Sequence, residues 1–198
     1  MIEQHKPLIL ASGSEIRQKL LRQTGLSFDV IKANIDETAE KQNCTHMPPK
    51  ELSAYLSEQK ALSVSQTAPD AFVIGADQVC ACEGRIYDKP YTEENAAATL
   101  TQLSGRTHTL HSGVCVARDG VIIWSNVETA TMQMSVLIPS QIRKYVSADQ
   151  PLSSAGSYKY ESLGRYLFEQ IDGTLDTIQG LPLHPLLKAL REVDVYSF

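Results

Sequence analysis

Apolar positions follow two rhythms along the chain, a period of two and a period near 3.6, and their alternation predicts strands and helices in turn. Pro7 to Ala11 reads as a short buried strand ending at Ser12-Gly13-Ser14. A helix follows from Glu15 to about Thr24, with Ile16, Leu20 and Leu21 on one side, Ser14 as N-cap and Gly25 at its C-terminal end. Ser27 to Lys32 is a second strand. Glu37 to Pro49 is polar, contains Pro48-Pro49 and reads mostly as loop. Lys50 to about Ser65 is helical, with Leu52, Tyr55, Leu56 and Leu62 near one face. Ala71 to Ala76 is a continuous apolar run, the pattern of a strand buried on both faces, and it ends in Asp77-Gln78.

Beyond that run, Val79 to Cys82 continues extended, Glu83-Gly84 turns, and Arg85 to Tyr87 returns. Thr92 to Leu103 is a helix, capped by Thr92 and followed by Gly105. Thr107 to Ala117 and Val121 to Ser125 form a hairpin across Asp119-Gly120, and Glu128 to Leu137 is a further strand. Pro139 opens a helix to about Val146, Ser153 to Gly164 reads as loop, and a last helix begins near Pro182 with Leu183, Leu186, Leu187 and Leu190. The sum is an α/β fold with a partly antiparallel sheet.

A length of 198 residues accommodates one large domain, or two lobes sharing one sheet. The net charge of -5 argues against a broad nucleic-acid surface, so no nucleic-acid polymer is expected as a partner. A small anion remains open, because it needs only a local cluster of basic side chains and amides. Cys44, Cys80, Cys82 and Cys115 show no zinc spacing and read as free thiols in a reducing compartment. The segment Met1 to Pro7 lacks the layout of a secretion signal. No apolar run approaches the roughly 20 residues that span a bilayer. The expectation is a cytoplasmic protein without a membrane partner.

Four places carry candidate chemistry. The turn Ser12-Gly13-Ser14 offers backbone N–H groups and a helix N-terminus to a phosphate, with Arg17 one turn on, although a plain capped turn has the same spacing. There is no G-x-x-x-x-G-K-[ST] loop, which excludes a P-loop enzyme. Asp77, at the end of the apolar run, suits a metal ligand or a general base, or equally the cap of a turn. Lys89 follows the short return strand that leads back towards Asp77, and a cation beside a carboxylate both holds it charged and neutralises phosphate oxygens. Lys60 and the pair Asp36-Glu37 read on their own as solvated surface. His108 and His111 fall on opposite sides of a strand, which disfavours one metal taking both.

The order of these pieces is more specific than any one of them. Leu8-Ile-Leu-Ala-Ser-Gly-Ser14, Arg17, Asp36-Glu37, Glu58-Gln-Lys-Ala61, Gly75-Ala-Asp-Gln78, Lys89-Pro90 and Leu103-Ser-Gly-Arg-Thr-His108 resemble the Maf-like family of nucleoside-triphosphate pyrophosphatases. Ala155-Gly-Ser-Tyr158, Ile171-Asp-Gly173 and Gly180-Leu-Pro-Leu183 extend the match over nearly the whole chain. The resemblance implies a single domain over residues 1–198. Its fold would be an elongated mixed sheet with flanking helices and two lobes around a central cleft, as in Maf and ITPase-like proteins. It implies hydrolysis of a nucleoside triphosphate to a monophosphate and pyrophosphate, with Mg²⁺ or Mn²⁺, by a homodimer. Asp77 takes the position of the proton acceptor, and Ser12, Arg17, Glu37, Lys60, Gln78 and Lys89 occupy other site positions. Asp77 and Glu37 would supply oxygens to the metal, Arg17, Lys60 and Lys89 would offset phosphate charge, and the amides of Ser12, Gly13 and Ser14 would hold a phosphate group.

Ile16, Gln78 and Glu161 fall at the family's specificity positions. Gln78 and Glu161 match the subfamily that resembles 7-methyl-GTP hydrolases, whereas the subfamily acting on dTTP and UTP has Thr and Gln there. A carboxylate at Glu161 suits the N1–H and exocyclic amine of a guanine-like base. Ile16 departs from both patterns, because it offers no cation–π stacking to a methylated base, and Glu15 stands where the family usually has Pro. A reading of another class is a nucleotide-binding regulator of cell division that acts through a protein partner.

Overall fold

The computed structural model describes residues 2–198, so that Met1 of the N-terminal segment lies outside the description. In chain order the elements are β1 (Glu3–Gln4), β2 (Leu8–Leu10), α1 (Glu15–Arg22), β3 (Asp29–Val30), α2 (Glu37–Asn43), α3 (Pro49–Ser65), β4 (Phe72–Cys82) and β5 (Arg85–Tyr87). They continue as α4 (Glu93–Leu103), β6 (Thr107–Arg118), β7 (Val121–Met134), α5 (Pro139–Asp149), β8 (Phe168–Asp172), α6 (Leu175–Ile178), α7 (Leu183–Glu192) and β9 (Tyr196–Ser197). The main sheet has the order β3-β2-β4-β6-β7-β8, with β5 also paired to β4, and β1 pairs with β9 in a sheet of two. β2 runs parallel to β3 and β4, while β4–β5 and β7–β8 are antiparallel. This is the mixed α/β fold expected.

The chain divides into two compact units. The first takes the chain up to Asp77, with Ser112–Glu128 and Gly180–Phe198. Period-two alternation gives its strands two apolar faces. Leu8, Leu10, Phe72, Ile74, Val114 and Val116 pack with Leu20 and Leu21 of α1 and Leu186 and Leu190 of α7. Ile9, Ala11, Val73, Cys115 and Ala117 face Ala61 and Val64 of α3. Side chains on this second face are mostly small, and α3 comes unusually close. A methyl group on Gly75 would lie 2.1 Å from the Ser57 carbonyl oxygen, and one on Gly113 would lie 2.2 Å from that of Ser53.

The second unit is Gln78–His111 with Thr129–Gln179. Its core joins Cys80 and Cys82 of β4, Leu100 and Leu103 of α4, Met132 and Met134 of β7 and Ile142 and Val146 of α5. His108 is buried among Tyr158 and Phe168, its Nε2 2.9 Å from the Tyr158 hydroxyl. Burial pushes the His108 imidazole down to about 4. All four cysteines are free and buried, as expected, and desolvation holds the thiols of Cys80 and Cys115 above their ordinary value.

Several elements differ from the expectation. Residues 37–43 form a helix rather than loop, because the Asp36 carboxylate accepts from the amides of Thr38 (3.1 Å) and Ala39 (3.0 Å) and nucleates a turn that buries nothing. β4 does not end at Asp77 but runs on to Cys82, and β7 is one 14-residue strand rather than two. β8 and the small β1–β9 pair leave no clear pattern in the sequence, since each is short and partly exposed. Ser14 stands at the N-cap of α1 but makes no side-chain capping bond. The buried face of α3 is Leu52, Ser53, Leu56, Ser57, Lys60, Ala61 and Val64, with Tyr55 and Leu62 only half-buried. Ser53 and Ser57 satisfy their hydroxyls on the helix itself, through Lys50 O (2.8 Å) and Ala54 O (2.7 Å).

Two stability measurements check this packing. Gly75→Ala drives a methyl group into helix backbone, and the expected cost in urea unfolding is about 3 kcal/mol. His108 binds a proton more weakly folded than unfolded. Its contribution is therefore complete above the ordinary imidazole value of 6.5 and is lost as pH falls towards about 4. Unfolding between these limits should show the native protein losing about 3 kcal/mol more than His108→Gln, which keeps a partner for Tyr158 without titrating.

Candidate active site

The close seating of α3 on Gly75 places Lys60 over Asp77, two residues further along the same strand face. Lys60 Nζ lies 2.5 Å from Asp77 Oδ1 and 3.1 Å from Glu37 Oε1. Lys60 is 6% exposed and Asp77 is 5% exposed, whereas the Glu37 side chain is 35% exposed. An ammonium shared between two carboxylates is a compact, pre-set arrangement, because each buried charge has a partner. Glu37 reaches it from the first turn of α2, the helix that the sequence did not announce. The other oxygen of Asp77, Oδ2, is buried and has no hydrogen-bond partner. An unsatisfied carboxylate oxygen costs stability unless something else meets it, so it marks a position for a ligand, a cation or water.

Arg17 of α1 is the second fixed cation. Its Nε donates to Gly180 O at 2.7 Å, and its Nη1 donates to Ala76 O at 3.0 Å and reaches Ser12 Oγ at 3.5 Å. Burial lowers its pKa, while the charges of Asp77 and Glu37 oppose that shift, and a guanidinium remains charged throughout. Gly180 is the partner that sequence reasoning did not assign to the site. Its φ is +87°, and a methyl group there would sit 3.2 Å from Arg17 Nη2. Its signal in the sequence is the motif Gly180-Leu-Pro-Leu183.

The Ser12–Ser14 turn lies beside these groups. Ser12 is buried, and its hydroxyl accepts from the Ser14 amide at 3.3 Å. Gly13 is exposed, and Ile16 packs on the apolar core of the first unit. Ser12, Arg17, Glu37, Lys60 and Asp77 thus form one constellation in the first unit. Gln78, Lys89 and Glu161 belong to the second. Gln78 donates its amide hydrogens to Thr177 O (3.1 Å) and Ile178 O (3.0 Å). Lys89 is exposed, two residues beyond Tyr87, which pairs with Cys80. Glu161 is half-buried; its carbonyl accepts from Arg165 Nη2 at 3.1 Å, and its carboxylate has no hydrogen-bond or ion-pair partner among the described residues. His111 bonds to Thr109 and Thr129 rather than joining His108, in keeping with their opposite faces.

Among the described residues no three His, Cys, Asp or Glu side chains gather in a way that could hold a metal by themselves, and no helix is long and apolar enough to cross a membrane. The donor set of Asp77 and Glu37 still fits a hard divalent cation of the Mg²⁺ type. Such ions take one or two carboxylates and fill their remaining positions with phosphate oxygens and water.

Curated relatives span the same length. A protein named nucleoside triphosphate pyrophosphatase in Legionella pneumophila is 40% identical over 192 residues, covering 97% of this chain and 96% of that one. One of the same name in Nitrobacter winogradskyi is 45% identical over 188 residues, covering 94% and 93%. A solved HAM1 protein from Coxiella burnetii overlays with a TM-score of 0.48 at 14% identity, covering 95% of this chain and all of that one. The family model described as Maf-like protein matches residues 7–193. The chain belongs to the Maf-like family.

Proposed function

We propose that this chain hydrolyses a nucleoside triphosphate between its α and β phosphates, releasing a nucleoside monophosphate and pyrophosphate. The observation that carries this reading is the Asp77 carboxylate, held on one oxygen by Lys60 and left unsatisfied on the other, next to a turn braced by Arg17. The relatives' shared name supports the same reaction.

Asp77 acts as general base in this scheme. Lys60 fixes Oδ1, so Oδ2 is the oxygen that orients a water and takes its proton. The water oxygen bonds to the α phosphorus as the bridging P–O bond breaks, and pyrophosphate leaves with the bond electrons. The Ser12–Ser14 amides and Arg17 hold phosphate oxygens. Asp77 and Glu37 would hold a divalent cation, which when bound supplies charge neutralisation at the phosphates. Lys60 faces two acids, so its first role is to set their spacing.

For the base, the reading is a guanine-like ring, 7-methyl-GTP included, recognised through Gln78 and Glu161. Support comes from the Glu161 carboxylate, half-buried and without a hydrogen-bond or ion-pair partner, which suits the donor edge of guanine.

Turnover of 7-methyl-GTP, GTP, UTP and dTTP with Mg²⁺ or Mn²⁺ tests both levels. Pyrophosphate should appear rather than orthophosphate, with the guanine nucleotides preferred. Asp77→Asn should lower kcat by about 10²- to 10⁴-fold, the usual worth of a general base; unchanged turnover would remove Asp77 from the role. Glu161→Gln should cut kcat/KM for GTP by about tenfold or more while sparing UTP, since it removes one charged acceptor from the base edge. Tight nucleotide binding without turnover would instead favour a regulator working through a partner protein.

A further inference from the structure

We infer that Lys32 is a polyphosphate-binding residue of this site, reached by register rather than by motif. It rests on the reading of the Ser12–Ser14 turn as a phosphate cradle. β2 and β3 pair in parallel with Leu10 opposite Val30, and the Ile31 amide donates to Leu10 O at 3.2 Å. Continued two residues, that register sets Lys32 alongside Ser12. The side chain then lies along the turn: a methyl group on Gly13 would be 3.6 Å from Lys32 Cδ and 3.7 Å from Cγ, an ordinary packing contact. The Lys32 stem therefore runs beside Gly13, which puts its ammonium within a side chain's reach of the turn.

The charges already in place leave a role for it. Lys60 is matched by Asp77 and Glu37. Arg17 gives Nε and Nη1 to the carbonyls of Gly180 and Ala76. Glu15 adds a negative charge in the first turn of α1, directly after the cradle. Lys32 is exposed and has no hydrogen-bond or ion-pair partner among the described residues. A second, independent sign that this part of the first unit takes a ligand is Asp77 Oδ2, buried without a partner one residue beyond the carbonyl that Arg17 grips. A triphosphate bears several negative charges, and Lys32 brings to this turn a cation with no hydrogen-bond or ion-pair partner among the described residues.

The test is equilibrium binding by calorimetry, with inorganic tripolyphosphate as the charged probe and guanosine as the uncharged one. Lys32→Ala should weaken tripolyphosphate by about two- to fivefold, the range of an exposed charge pair. It should leave guanosine and the melting temperature unchanged, and Lys32→Arg should restore affinity. The native protein should also lose tripolyphosphate affinity with added salt more steeply than Lys32→Ala does. Equal affinity of Lys32→Ala and native protein, or no binding of tripolyphosphate by either, overturns the inference. Binding that depends on Lys32, in a protein that turns over no nucleoside triphosphate, would leave the inference standing and sink the pyrophosphatase reading alone.

Discussion

The seating of α3 directly on the backbone of β4 and β6 is the constraint from which the site follows. Layers stacked on a sheet usually stand about 10 Å away, as two packed sheets do, because side chains separate them. Here Gly75 and Gly113 have none, and the helix answers with Ser53, Ser57 and Ala61. The carbonyls of Ser53 and Ser57 stand where side chains would otherwise be. A long side chain one turn further along the helix, Lys60, thereby meets a carboxylate rather than solvent. The same closeness buries the pair, so neither charge can be left alone without a large penalty. Packing and chemistry thus share one cause: small residues on one sheet face set the height of the helix, and its height sets the Lys60–Asp77 distance.

Arg17 is placed by a different device. It spans from α1 to two main-chain carbonyls, and only a guanidinium has donors splayed widely enough to meet Gly180 O and Ala76 O together. A lysine there would satisfy one and leave the other bare. Gly180 completes the arrangement by adopting a left-handed conformation and by having no side chain against the guanidinium. The Maf-like family's glycine at this place therefore has a physical reason beyond the turn itself. Rigid support of this kind fixes charged groups before a ligand arrives, which lowers the reorganisation that any reaction at the site requires.

Much of this was legible in the chain. The apolar run before Asp77, the capped helix at Thr92 and the hairpin at Asp119-Gly120 were read from local pattern, because each depends on local rules of burial, capping and turn conformation. The errors have a common origin. α3 has a polar buried face, so periodicity of apolar residues pointed to Tyr55 and Leu62 and hid Lys60. Asp77 looked like the end of a strand, because a carboxylate inside a buried strand is paid for only by a partner 17 residues away. α2 buries no residue at all, and its one strong signal, the Asp36 cap, was outweighed by Pro48-Pro49. Charge pairing and close packing arise from contacts distant in sequence, and no local window contains them.

The start of α1 sets stability against ligand binding. An acid at the first turn of a helix favours the N-terminal end of the dipole by roughly 0.3–1 kcal/mol. Glu15 gains that, but the dipole it meets is the one a phosphate would use. In the usual family pattern a proline at this place brings no charge and removes one unused N–H, so the two demands do not collide. With glutamate the empty helix end is better stabilised and less attractive when a phosphate approaches. A cation beside the turn, outside the helix and free of other partners, restores the attraction without giving up the helix stabilisation. Lys32 meets that description two residues beyond β3, where the β2–β3 register carries it alongside the turn. Glu15 and Lys32 are then two halves of one adjustment. Their effects on polyphosphate affinity should be opposite in sign and coupled, because both charges act on the same turn.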